Sequence, residues 1–141
     1  MAAILGIDYG RKRIGVAVSD AGAKIATPLT VLAAADRARA IRDITRLAAE
    51  HAAAEIVVGL PRSLDGTLGP MAKEVTEFVE QLRASAKTPV VTFDERLSTA
   101  QAERAMIDVD MTRAKRKERI DKVAAQIMLQ SYLDSRSKQN G

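Results

Sequence analysis

Three carboxylates in this chain stand where a carboxylate needs a reason. Asp8 ends the apolar run Ile4-Leu5-Gly6-Ile7, Glu95 and its neighbour Asp94 follow directly on Val90-Val91-Thr92-Phe93, and Asp121 lies at the margin of the apolar face of the last helical stretch. A carboxylate at the end of a buried strand is costly to desolvate, so it either meets a cation or emerges where the sheet ends. Carboxylates that converge repel one another, which makes such a set avid for protons or cations. Taken singly, each has a plain alternative. Asp8 suits a turn that bonds its own backbone, Glu95 suits an exposed pair with Arg96, and Asp121 suits a first helical turn, where the dipole favours an acid. Positive charge gathers beside all three: Arg11, Lys12 and Arg13 follow Asp8, Arg96 follows Glu95, and Arg113, Lys115, Arg116, Lys117, Arg119 and Lys122 surround Asp121. A basic run is commonly a solvated face, but beside acids it reads as a grip for phosphates. Tyr9, Phe78, Phe93 and Tyr132 are the only aromatics, which favours backbone or shape recognition over base stacking.

The composition bounds what can carry these groups. With 141 residues, 47% of them hydrophobic, the chain is expected to form a single domain over 1–135 that buries about 70% of its unfolded surface, with a polar, disordered tail from 136. Cysteine is absent, so disulfides, thiolate metal sites and cysteine nucleophiles are excluded. No apolar run reaches the length of a membrane span and no signal-peptide pattern opens the sequence, so the expected location is cytoplasmic. A net charge of +4 and a pI of about 9.6 suit a polyanionic partner.

The elements that must position the acids are legible in the apolar periodicity. Ile4 to Tyr9 and Ile14 to Val18 flank a short polar segment with Gly10 and read as two strands joined by a tight turn. Lys24 to Leu32 is a third strand, and Pro28, which cannot donate to a sheet, puts it at an edge. Asp36 to His51 is an amphipathic helix that buries Ile41, Ile44, Leu47 and Ala48, with His51 structural at its end. A strand from Glu55 to Leu60 leads into a loop containing Asp65-Gly66. Pro70 then opens a helix with Met71, Val75, Phe78, Val79 and Leu82 in phase. After the strand Val90 to Phe93, Ser98 and Gln101 have capping-box spacing and open a helix to about Met106. Residues 108–118 are polar and basic, expected to be mobile until substrate binds. The final helix presents Ile120, Val123, Ala124, Ile127 and Met128 on one face. Asp20 reads as a turn residue.

A meander followed by crossover helices gives a mixed sheet in the order 3-2-1-4-5, with strand 2 antiparallel and helices on both faces. Asp8 and Glu95 then emerge at the same edge, beyond the carboxyl ends of the parallel strands, where sites in open sheets lie, and the last helix can bring Asp121 there. Since adjacent strand residues point to opposite faces, a register error of one would substitute Asp94 for Glu95.

The blocks Gly6-Ile7-Asp8-Tyr9-Gly10, Arg13-Ile14-Gly15-Val16-Ala17-Val18-Ser19-Asp20, Gly59-Leu60-Pro61, Asp94-Glu95-Arg96-Leu97-Ser98-Thr99 and Ile120-Asp121-Lys122-Val123-Ala124-Ala125 together resemble the YqgF (RuvX) family of bacterial Holliday junction resolvases or pre-16S rRNA nucleases. The resemblance spans the first strand to the last helix. It implies an RNase H-like fold and a phosphodiesterase that uses Mg²⁺ or Mn²⁺, with Asp8, Glu95 and Asp121 as the catalytic and metal-binding acids. RuvC-type resolvases usually carry a further acid one helical turn after the last, a position occupied here by Ala124, so a second ion is expected to be weak until substrate phosphate supplies oxygens. Structured RNA, a four-way DNA junction and single-stranded ends all offer the same phosphodiester, to a monomer or a homodimer. Two other classes compete: a sugar-kinase or actin-like nucleotide-binding fold, which needs two such domains, and a noncatalytic nucleic-acid-binding protein.

Overall fold

The computed structural model describes residues 2–61, 70–95 and 113–140. In chain order the elements are β1 (Ile4–Tyr9), β2 (Arg13–Ser19), β3 (Ala26–Ala33), α1 (Arg37–Glu50), β4 (Glu55–Pro61), α2 (Pro70–Ser85), β5 (Val90–Glu95) and α3 (Arg113–Asn140). The five strands form one sheet in the order β3-β2-β1-β4-β5. β2 is antiparallel to both neighbours, and β1, β4 and β5 are parallel. This is the order expected from a tight hairpin followed by helical crossovers. In the hairpin Gly10 donates its N–H to the Arg13 carbonyl at 3.0 Å, and a Cβ at Gly10 would lie 2.6 Å from that oxygen, so only glycine fits. Pro28 does sit on an edge strand, and the ladder slips beside it: Val16 pairs with Thr30 but Ala17 with Pro28, leaving Leu29 as the extra residue of a bulge.

Alternation along β1 divides the core in two. Leu5, Ile7 and Tyr9 face α1 and α2, where they meet Ile44 and Leu47 of α1 and Val75, Phe78 and Leu82 of α2. Asp36 caps α1 by accepting from the Arg39 N–H at 3.1 Å, and His51 closes the helix as its C-cap. Ile4 lies on the opposite face, with Ala17, Ala26 and Val57, under Ala125, Met128, Leu129 and Leu133 of α3. Full burial of one large aliphatic side chain contributes about 1.5 to 3 kcal/mol, so each face suffices to hold its helices.

α3 departs from expectation in three ways. Its buried stripe is Ala124, Ala125, Met128, Leu129 and Leu133, with Val123 and Ile127 only half-buried, and Ile120 lies outside the described side chains. The rotation follows from the shape of the sheet. Gly6 leaves a notch into which Leu129 drops, so closely that a Cβ at Gly6 would lie 2.8 Å from the Leu129 Cβ. Second, the basic run from Arg113 is part of the helix and not a separate mobile approach to it. Ala, Arg, Lys and Glu are strong helix formers and need no burial to remain helical. Third, the helix continues through Asn140 in place of the expected disordered tail, and Arg136 pairs with Glu55 at 3.0 Å. The helix stretch proposed to open at Ser98 and the Asp65-Gly66 turn lie outside the described residues. Asp20 is the expected turn residue: its Oδ1 accepts from Ile25 N at 3.0 Å and Lys24 N at 2.8 Å, and these bonds hold its carboxyl below the usual range. Among the described residues no helix is long and apolar enough to cross a membrane.

Two stability predictions follow from this packing. Gly6→Ala costs about 1 to 3 kcal/mol in urea denaturation, as overpacked cores do, and because the closest atom is the Leu129 Cβ, which alanine keeps, Leu129→Ala in the same chain recovers only the part of that cost due to Cγ and Cδ2 at 3.2 Å. At the far end of α3, the Tyr132 hydroxyl donates to Glu55, and burial first, then the Glu55 carboxylate, pushes its pKa up to about 12. The unfolded phenol loses its proton near 10.0. The stability that Tyr132 contributes is therefore intact below about pH 10 and is lost as pH rises through about 12. Tyr132→Phe flattens this alkaline decline by about 1 kcal/mol, since the group is partly solvent-screened, and denaturation series at both ends of the range measure it.

Candidate catalytic site

Asp8 is the penultimate residue of β1, half-buried between the buried Ile7 and Tyr9. Strand alternation places it with Ile4 and Gly6 on the face covered by α3. Both strands beside it present glycine at its level. Gly15 of β2 pairs with Asp8 directly, and on the other side Ile7 pairs with Val58, so Gly59 follows next in β4. No side chain from a flanking strand therefore competes with the carboxylate at that level.

The register of β5 separates Asp94 from Glu95. Both residues belong to the strand and do not follow it, with Asp94 opposite Leu60 and Glu95 opposite Pro61. Val91 and Phe93 pack into the α3-side cluster, whereas Val90 and Leu60 belong to the α1/α2 side. The odd-numbered positions of β5 thus share the face of Asp8, and Glu95 occupies the next of them. Asp94, which is exposed, takes the opposite face. Glu95 stands two strands away from Asp8, about 10 Å across the sheet, and two residues further towards its carboxyl edge.

α3 runs antiparallel to β1, because Leu129 lies over Gly6 while Arg136 reaches Glu55 at the start of β4. From Leu129 back to Asp121 the helix advances eight residues, about 12 Å, towards the edge where Asp8 lies. Asp121 is one turn ahead of Ala125, which is fully buried against the sheet. Its backbone position thus continues the sheet-facing stripe by one turn from Ala125. The side chains of Glu95, Asp121 and residues 113–120 lie outside the described ones, and among the described side chains no three acids or imidazoles gather. Arg96 is also outside the described residues.

Of the basic residues, Arg11 and Lys12 are exposed in the β1–β2 turn, Arg13 opens β2, and Lys122 is half-buried on α3. Arg11 approaches Glu74 of α2 at 3.4 Å, an exposed pair that contributes little and is easily exchanged for another anion. Arg113, Lys115, Arg116, Lys117 and Arg119 occupy the first turns of α3. That helix has 28 residues, about 42 Å, against about 20 Å for a six-residue strand, so its basic end projects past the sheet.

One contributor carries no sequence signal that isolates it. Arg37, the first residue of α1, donates from Nη2 to the Tyr9 hydroxyl at 3.1 Å and from Nη1 to Gln81 at 3.4 Å. Its guanidinium also lies 5.8 Å from the centre of the Tyr9 ring, which packs on Phe78 with centroids 4.7 Å apart. The residue after Asp8 is thereby locked from the opposite face, which fixes the strand end that carries the carboxylate.

Known proteins resemble this chain in sequence and in fold. A protein from Chloroflexus aggregans named "Putative pre-16S rRNA nuclease" is 49% identical over 133 residues, covering 94% of each chain. One of the same name from Halothermothrix orenii is 44% identical over 138 residues, 98% of this chain and 99% of that one. Among solved structures, Thermus thermophilus RuvC in complex with a Holliday junction substrate superposes with a TM-score of 0.57 at 14% identity, over 98% of this chain and 97% of that one. The fowlpox virus Holliday junction resolvase gives 0.56 at 16% identity, over 94% and 99%. These likenesses, together with the strand order, identify the RNase H-like fold. The model of the RuvX family, described as Holliday junction resolvase, matches residues 2–135, and the chain belongs to that family.

Proposed function

We propose that this protein is a divalent-metal-dependent nuclease that hydrolyses phosphodiester bonds in structured RNA, with Asp8, Glu95 and Asp121 as its metal-binding acids. The observation that carries the reading is the register: Asp8 and Glu95 occupy positions on one face of one sheet edge, and α3 crosses that face with Asp121 one turn before the buried Ala125. Three carboxylates form a hard oxygen donor set, which suits Mg²⁺ or Mn²⁺ and not a soft metal. A divalent cation bound there supplies the charge that activates water and stabilises the pentavalent phosphoryl transition state. The protein's own part is positional. The hairpin and the Arg37–Tyr9 lock hold Asp8, and glycines on both flanks leave its level clear. The basic end of α3, with Arg11, Lys12 and Arg13, neutralises phosphates on either side of the acids. RNA is favoured as substrate because relatives named for a precursor rRNA are 39–49% identical over nearly the whole chain.

Branched DNA, single-stranded DNA and structured RNA, assayed side by side with Mn²⁺ and Mg²⁺, test the reading. Fastest metal-dependent cleavage of structured RNA supports it, preference for four-way junctions would make the protein a resolvase, and binding without cleavage would make it a noncatalytic partner. Asp8→Asn, Glu95→Gln and Asp121→Asn each lower cleavage by about 100-fold or more while binding persists, whereas Asp94→Asn stays close to wild type. Full activity in one of the three removes that residue from the site. For the basic arm, Arg116→Ala with Lys117→Ala lowers the slope of log affinity against log salt by about 1.4 to 1.8, as loss of two phosphate contacts requires. An unchanged slope would leave the run as a solvated helix face.

A further inference from the structure

Two glutamines one turn apart on α3 take hold of the edge strand through its backbone. Gln130 Oε1 accepts from the Ala26 N–H at 2.9 Å, Gln126 Nε2 donates to the Ala26 carbonyl at 3.1 Å, and Gln130 Nε2 donates to the Lys24 carbonyl at 2.9 Å. Ala26 opens β3 and is almost fully buried, so both polar groups of this residue are bonded by the helix. The orientation of the Gln130 amide is itself fixed. Asp134, one turn later and able only to accept when ionised, receives from Gln130 Nε2 at 3.1 Å, which turns Oε1 towards the strand.

Among the described residues, the other attachments of α3 differ in kind or in place. Ala125, Met128, Leu129 and Leu133 form an apolar stripe whose seat on Gly6 selects the buried face of the helix, but apolar contact is non-directional and by itself leaves small rolls and slides within that seat. The directional bonds of Tyr132 and Arg136 to Glu55 are at the far end. Gln126 stands five residues from Asp121, about 7.5 Å along the axis, whereas Arg136 is fifteen residues away. A slide of one residue moves the helix by about 1.5 Å, several times the tolerance of about 0.2 Å expected for ligand distances in a metal site.

We infer that Gln126 and Gln130 are positioning residues for the acid site: by clasping Ala26 and Lys24 they set the roll and axial register of α3, and with them the place of Asp121. This rests on the reading of Asp121 as a metal-binding acid.

The test is Mn²⁺ binding to the full-length protein, followed by electron paramagnetic resonance, for three chains: wild type, Gln126→Ala/Gln130→Ala, and Tyr132→Phe/Arg136→Ala. The expected result is a roughly 10-fold weaker Mn²⁺ affinity in the glutamine variant, the size typical of lost supporting bonds around a metal site. The far-end variant lowers the melting temperature but keeps wild-type affinity. In cleavage assays the glutamine variant loses kcat and keeps its KM for nucleic acid. Wild-type Mn²⁺ affinity in the glutamine variant, or an equal loss in the far-end variant, overturns the inference. If the double glutamine variant does not fold, Gln126→Ala alone, which keeps both Gln130 bonds to the strand, carries the same comparison. Absence of Mn²⁺ binding in the wild type overturns the metal reading first and this inference with it, an outcome visible before any variant is made.

Discussion

The contact on which the arrangement depends is Leu129 of α3 seated on Gly6 of β1. A side chain as small as a methyl at Gly6 would come within 2.8 Å of the Leu129 Cβ, so the helix lies too close to the strand there for any residue but glycine. The neighbours share this economy of volume: Ala17 and Ala26 on the sheet meet Ala125 on the helix. Close approach places more atoms within dispersion range and leaves little freedom to repack. It also turns the position of one helix into a property of the central strand. Asp8 lies two residues beyond Gly6 and Asp121 eight residues before Leu129, so the seat fixes coarsely how far apart the two positions fall, and leaves the fine roll and register of the helix to directional bonds.

The two faces of the sheet are built for different ends. On the α1/α2 face large side chains continue to the very edge, where Phe78 and Arg37 close over Tyr9. On the α3 face the two strands flanking β1 present only glycine, Gly15 and Gly59, at the level of Asp8. A charged group is tolerable at the end of a central strand only where such thinning lets something other than hydrocarbon reach it. α3 serves both requirements along its length. Its apolar half supplies the seat, and its cationic half, free of any need for burial, extends past the sheet as the proposed support for a polyanion. The bonds of Gln126 and Gln130 to the edge strand lie between these halves, where directional contact constrains the polar end most.

Strand order, the edge role of β3 and the extents of α1 were all legible in the sequence. Each is a consequence of local rules: apolar period, a proline that cannot donate, a capping aspartate, and crossovers whose handedness leaves one sheet order. For the choice between Asp94 and Glu95 the family resemblance pointed to Glu95, but the apolar pattern did not, because alternation tells which residues share a face but not which face meets which helix. Only the pairing of Val91 with Val57 and of Leu60 with Asp94, seen together with the two cores, assigns Glu95 to the face of Asp8. The roll of α3 escaped for a similar reason. Its apolar residues are broad enough in phase to allow more than one buried stripe, and the selection between Ile127 and Leu129 was made by a glycine more than a hundred positions away. Types and periods of residues determine which elements form and in what order they pack. Which side chains meet is decided by the fit of one surface against another, and that fit exists only once the chain has closed on itself.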